Sequence, residues 1–68
     1  MNPKQNKAEI PVLLDPSALA AHLGTTERHI RRLVSERRIP YVKVGRFVRF
    51  EPAAVTEWLD RWTVEARP

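Results

Sequence analysis

The sequence predicts a small, mainly α-helical domain with one β-hairpin, and three observations carry that expectation. Two apolar stripes of helical period stand on either side of a Leu-Gly-Thr-Thr turn at residues 23–26. Residues 41–50 then switch to an alternation of period two around Gly45, and a third helical stripe follows Pro52. A chain of 68 residues is expected to form one module with a modest core, too small for most enzymes and marginal by surface-to-volume scaling.

Residues 1–9 are polar and without period, so they read as a disordered N-terminal arm, and the folded domain is expected over residues 10–68. After the short apolar run Ile10 to Leu14, Asp15-Pro16 marks a helix start. The aspartate can accept from the free N–H groups of the first turn, and proline at the first helical position loses no hydrogen bond. Leu19, Ala20 and Leu23 share one face, and Gly24 ends the helix because glycine takes the left-handed conformation cheaply. Thr26 caps the next helix, with Glu27 in its first turn, where the helix dipole favours an acid.

That second helix is amphipathic: Ile30, Leu33 and Val34 cluster on one side, Arg28, Arg32 and Ser35 on the other, with Arg31 on the flank. Pro40 disfavours the helical region for Ile39, so the helix is expected to stop near Arg37 or Arg38, with no glycine to mark the stop. In the hairpin, a three-residue loop of Gly45, Arg46 and Phe47 is the preferred register. It pairs Val44 with Val48 and Val42 with Phe50, and leaves Lys43 opposite Arg49 on the outer face, where like charges call for an anion. Pro52 opens the last helix, whose stripe is Val55, Trp58, Leu59 and Trp62. Trp58 is expected in the core, and Trp62 is expected to pack on the Ile10 to Leu14 segment.

Twelve Lys and Arg against eight Asp and Glu give a net charge of +4. Its placement is uneven. Between Thr26 and Phe50 lie Arg28, Arg31, Arg32, Arg37, Arg38, Lys43, Arg46 and Arg49 with only Glu27 and Glu36, a net of +6, while the remainder carries −2. Such polarity in a short chain implies one basic surface and a polyanionic partner. Two helices joined by a tight glycine-bearing turn form a helix-turn-helix, whose second helix enters the DNA major groove with its N-terminal residues toward the base edges. Arg28, Arg31 and Arg32 hold the early outward positions, where a guanidinium can fork onto guanine O6 and N7. The hairpin then serves as a wing, and the fold expected is a winged helix-turn-helix with Arg46 at the wing tip reaching phosphate or the minor groove.

Leu23-Gly24-Thr25-Thr26, the run Ile30 to Val34, Arg38-Ile39-Pro40, the run Val42 to Arg46, and Val55 through Trp58-Leu59 together resemble the small excisionase family of winged helix-turn-helix proteins, relatives of the DNA-binding domains of MerR-type regulators. The resemblance spans about Val12 to Leu59. It implies recognition through the second helix and the wing. In phage and plasmid versions it also implies a recombination directionality factor that binds cooperatively beside an attachment site, bends the DNA, and turns a tyrosine integrase toward excision.

Thr26, Arg28, Arg31 and Arg32 match the family's recognition-helix contacts, with Ser35 on the same outer face; Lys43, Gly45, Arg46 and Arg49 match its wing. Arg37 departs from the pattern by standing where the family usually has glycine. Phe47 departs by occupying a wing position that is commonly basic or polar, and its ring is expected to fold back over the hairpin rather than wedge against a base step.

Other chemistry is not expected. Cysteine is absent, His22 and His29 lie on different helices without clustered carboxylates, and there is no glycine-rich phosphate loop and no serine or threonine with a paired base. Neither a metal, another cofactor nor a catalytic residue is foreseen; strand cleavage would belong to the integrase. No apolar run is long enough to span a membrane, and Met1 to Glu9 lacks the apolar stretch of a signal peptide, so a cytoplasmic location is expected. The expected partners are double-stranded DNA, a tyrosine-family integrase and neighbouring copies on DNA. Those copies are expected to touch through the region around Trp62, or through the Glu57 and Asp60 side of the last helix against a neighbour's wing. The alternative function is a small winged helix-turn-helix transcription regulator.

Overall fold

A computed structural model of the chain describes residues 9–66, so the arm expected over residues 1–9 lies, apart from Glu9, outside the described residues. Three helices and a two-stranded antiparallel hairpin follow one another as α1 (Pro16–Leu23), α2 (Glu27–Ser35), β1 (Val42–Val44), β2 (Phe47–Arg49) and α3 (Pro52–Trp62). This is the winged helix-turn-helix that the sequence predicts.

Both leading helices start as their caps dictate. The Asp15 carboxylate accepts from the Ala18 N–H at 2.7 Å, and the Thr26 hydroxyl accepts from the His29 N–H at 3.1 Å. Both also end in one geometry. At Gly24, φ +68°, the Gly24 and Thr25 N–H groups donate to the carbonyls of Ala21 and Ala20. At Arg37, φ +55°, the Arg37 and Arg38 N–H groups donate to those of Val34 and Leu33 at 2.9 and 2.8 Å. These paired bonds, one spanning three residues and one spanning five, are the Schellman closure, which requires a left-handed residue. The second helix therefore stops at Ser35, short of the expected Arg37 or Arg38. The left-handed turn at Arg37 ends it before Pro40 can act.

Leu19, Ala20, Ile30, Leu33, Ile39, Phe50 and Val55 form the buried core, and Phe50 and Ile30 are wholly sequestered. Leu14, Leu23, Val34, Tyr41, Val48 and Trp58 pack around them half-buried. Trp58 is thus a wall of the core rather than its centre, and its indole N–H donates to the Arg38 carbonyl at 2.8 Å.

The hairpin corrects the expected register. Val42 pairs with Arg49, Lys43 with Val48 and Val44 with Phe47 across a two-residue turn, Gly45-Arg46. Gly45 has φ +62°, the positive angle that two-residue hairpin turns need at their first position. The three-residue alternative required Phe50 to pair with Val42. Phe50 is instead bridged to Leu14, each N–H donating to the other's carbonyl at 2.8 and 2.9 Å, while its ring fills the core. Val48 and Phe50 consequently share the inner face, and Val42, Val44, Phe47 and Arg49 share the outer one. Lys43 and Arg49 are not opposed, so the like-charge argument for an anion between them falls.

Trp62 also departs from expectation. It is 58% exposed, with its ring tilted 58° against Trp58 at a centroid separation of 6.5 Å, and Ile10 and Val12 are themselves open to solvent. Leu14 is the residue of that segment that packs against the core, fixed there by the bridge to Phe50.

Candidate nucleic-acid interface

The buried stripe of α2, Ile30 and Leu33, packs the helix on the core and thereby turns Arg28, Arg31, Arg32 and Ser35 outward, all of them exposed. Thr26, also exposed, sits at the N-cap, where its hydroxyl is committed to the His29 N–H. Arg28 and Arg32 make no ion pair among the described residues. Arg31 does: its Nε donates to Glu27 Oε2 at 2.9 Å, and its Nη2 lies 2.8 Å from the same oxygen. Sequence reasoning missed this pair although its signal, an acid followed four residues later by a base on a helix, was present. Three outward arginines therefore give two free forks and one that is neutralised and held. The Ser35 hydroxyl donates to the Arg32 carbonyl at 2.9 Å, leaving its oxygen lone pairs as what it can offer outward.

The wing stands beside this face. Pro16, Arg31, Val34, Ser35 and Val48 line a shallow cleft of about 100 Å³ between α2 and β2, room for a few water molecules. Arg46 is exposed at the turn, and Lys43 is exposed on β1 opposite Val48. Arg49 is half-buried and partly committed, its Nη1 donating to the Val48 carbonyl at 2.7 Å. Its guanidinium carbon also lies 5.3 Å from the Phe47 ring centroid, and that of Arg46 lies 5.5 Å away. The structure thus brings Arg28, Arg31, Arg32 and Ser35 onto one helix face with the wing next to it, but it separates Lys43 from Arg49 by the thickness of the hairpin. Gly45 serves the turn by adopting the positive φ that its first position needs.

His22 and His29 are exposed, and among the described residues no group of three or more metal-ligating side chains converges. No described helix is long and apolar enough to cross a membrane.

The family described as the helix-turn-helix domain matches residues 13–63 of this chain, from the half-buried residue before Leu14 to the end of α3. The chain belongs to the helix-turn-helix domain family. This is a DNA-binding family, and it includes excisionase-like proteins. No curated protein and no solved structure matches the chain. Within the helix-turn-helix domain, α1, the Gly24 turn and α2 are the helix pair itself, and the matched region runs on through hairpin and α3, so the whole described core lies inside the family's bounds. Duplex DNA is the partner that this helix pair serves.

Proposed function

We propose that this helix-turn-helix domain is a sequence-specific, cooperative DNA-binding and DNA-bending protein that acts as an excisionase, biasing a tyrosine integrase toward excision without catalysing any step itself. The observation that carries the DNA reading is the pair of arginines, Arg28 and Arg32, that make no ion pair among the described residues and stand on the outward face of α2 beside a basic wing. Arg28, Arg31 and Arg32 read or approach base edges from the major groove, with Thr26 and Ser35 at the margins of that face. Lys43, the backbone at Gly45, Arg46 and Arg49 hold the flanking backbone.

One recognition helix with one wing covers too few base pairs for high specificity alone, so neighbouring copies supply the rest by raising effective concentration. Leu59, 39% exposed, and Trp62 form an apolar stripe on α3, flanked by Glu57 and Asp60, which supports a contact between copies. No cofactor enters this scheme.

Footprinting on attachment-site DNA with and without the integrase tests it. Adjacent protected repeats that fill together, a shortened end-to-end distance by FRET, and stimulation of excision with inhibition of integration are expected. Trp62→Ala should abolish the joint filling while leaving single-site affinity intact. Non-cooperative binding to straight DNA, with repression of a promoter and no effect on the integrase, would replace the excisionase by the transcription regulator.

A further inference from the structure

The outer face of the hairpin carries an arrangement that a merely basic surface does not need. Because the turn has two residues, Phe47 stands opposite Val44 on the face shared with Val42. Val42, Val44 and Phe47 are 41%, 49% and 52% exposed. The side of the hairpin that meets the core carries Val48 and Phe50, with Lys43 opposite Val48, so nothing in the core draws Val42, Val44 or Phe47 inward. Both wing arginines approach the Phe47 ring, Arg46 and Arg49 at 5.5 and 5.3 Å from its centroid, within cation–π range.

An exposed aromatic side chain with two cations within about 5.5 Å of its ring fits a surface that is anionic at its walls and apolar within. A protein partner of the same shape would have to bring acidic groups on both sides of an aromatic pocket. The minor groove of a duplex has phosphates on both walls, sugars below them and base steps at its floor. Narrow A·T-rich grooves concentrate negative potential, and flexible TA steps open most readily to an inserted side chain. The guanidinium contacts also hold the ring and both arginines in place before binding, so less rotamer freedom is lost on insertion.

We propose that Phe47 is an apolar wedge that enters the minor groove at an A·T-rich step, with Arg46 and Arg49 lying along the phosphates on either side. The inference rests on the DNA-binding reading above and adds to it the residue that selects the step and produces the bend.

The full chain, wild type and with Phe47→Ala or Phe47→Leu, is titrated against three duplex probes: alternating poly(dA-dT), poly(dA)·poly(dT) and alternating poly(dG-dC). Thermal melts accompany each variant, and the half-exposed position of Phe47 leaves the folding transition in place. Wild type should prefer the alternating A·T probe, and the minor-groove ligand netropsin should displace it. Phe47→Ala should lose roughly tenfold on that probe with an unchanged salt slope, and Phe47→Leu, still apolar and bulky, should recover most of the loss.

Equal binding of Phe47→Ala and wild type to all three probes, or failure of netropsin to compete, overturns the wedge while salt-dependent binding keeps the DNA reading intact. A loss that is present on the long polymers but absent on an alternating A·T duplex of about one helical turn assigns the face to a neighbouring copy, and also overturns it. Absence of salt-dependent binding to any duplex removes both.

Discussion

The indole N–H of Trp58 donates to the carbonyl oxygen of Arg38 across twenty positions of chain, at 2.8 Å. Arg38 is the residue whose own N–H closes α2 onto the Leu33 carbonyl, so the backbone of one residue joins the end of the arginine-bearing helix to the face of α3. The orientation of α2 on the core is therefore held at its C-terminal end by a side chain from outside the helix pair.

Trp58→Phe separates that hydrogen bond from the packing. It should destabilise by about 1 kcal/mol, and Trp58→Ala by more, toward the lower end of the ~3–5 kcal/mol typical of buried aromatics because the ring is only half-buried. Phe50→Ala, at a fully sequestered position, should prevent stable folding. Denaturant titrations followed by far-UV circular dichroism rank the three. A Trp58→Phe variant as unstable as Trp58→Ala would mean that the indole bond, rather than the ring's bulk, fixes α3.

Arg37 holds a left-handed conformation that glycine adopts without strain, φ +55°. Arg37→Gly should stabilise the domain by about 0.5–1 kcal/mol, whereas Gly24→Ala, in the same closure on α1, should destabilise it by a similar amount. Neither effect involves a clash, since a Cβ at Gly24 would meet no neighbour within 4 Å. Thermal melts of the two variants should move in opposite directions.

Base reading and backbone anchoring should part company in mutants. Arg28→Ala or Arg32→Ala should cost about 1–3 kcal/mol on a cognate site and little on random DNA, whereas Lys43→Ala or Arg46→Ala should weaken both alike and reduce the salt slope by about 0.9 each. Electrophoretic shifts at several salt concentrations provide all four values. The opposite ranking would place the wing, rather than α2, at the bases.

Glu27 restrains the basic face. Glu27→Gln removes an anion and releases Arg31 from its ion pair, at 2.8 Å, and its Nε hydrogen bond, at 2.9 Å, so binding to random DNA should strengthen with a salt slope steeper by about one phosphate contact. The exposed pair itself contributes under about 1 kcal/mol to folding, so stability should barely change. A variant with unaltered slope on random DNA would show that Arg31 reaches phosphate even while paired.

The helices were legible in the sequence because their signals are local. Asp15-Pro16, Gly24, Thr26 and Pro52 each act through bonds or dihedral preferences within a few residues, and each stands where it was expected. The hairpin register was not legible, since alternation of Val42, Val44, Val48 and Phe50 favours the three-residue loop that would gather all four on one face, whereas the two-residue turn divides them between the two faces. The choice was made by a long-range bond pair between Phe50 and Leu14 that no local pattern encodes.

Trp62 was misplaced for a related reason. Helical periodicity places it on the stripe of Val55 and Trp58, but α3 extends two turns past Val55 and the core does not follow. At the candidate interface the outward arginines of α2 were read correctly as a face, and the missing part was which of them is already engaged. The surprise at Arg37 was confined to where the helix stops, because the hydrogen-bond closure it completes is the one that glycine completes at α1.

The bridge between Leu14 and Phe50 has a kinetic consequence. It joins positions thirty-six apart in sequence, so forming it closes a loop around both leading helices and the hairpin, at an entropic cost of about 3 kcal/mol. Helices and hairpin assemble within microseconds from contacts between near neighbours in sequence, but the strand end and the N-terminal segment must find one another through the whole intervening chain. We expect that closure to set the folding barrier. Substitutions at Leu14 should therefore slow refolding, while those on the outward arginines leave its rate unchanged.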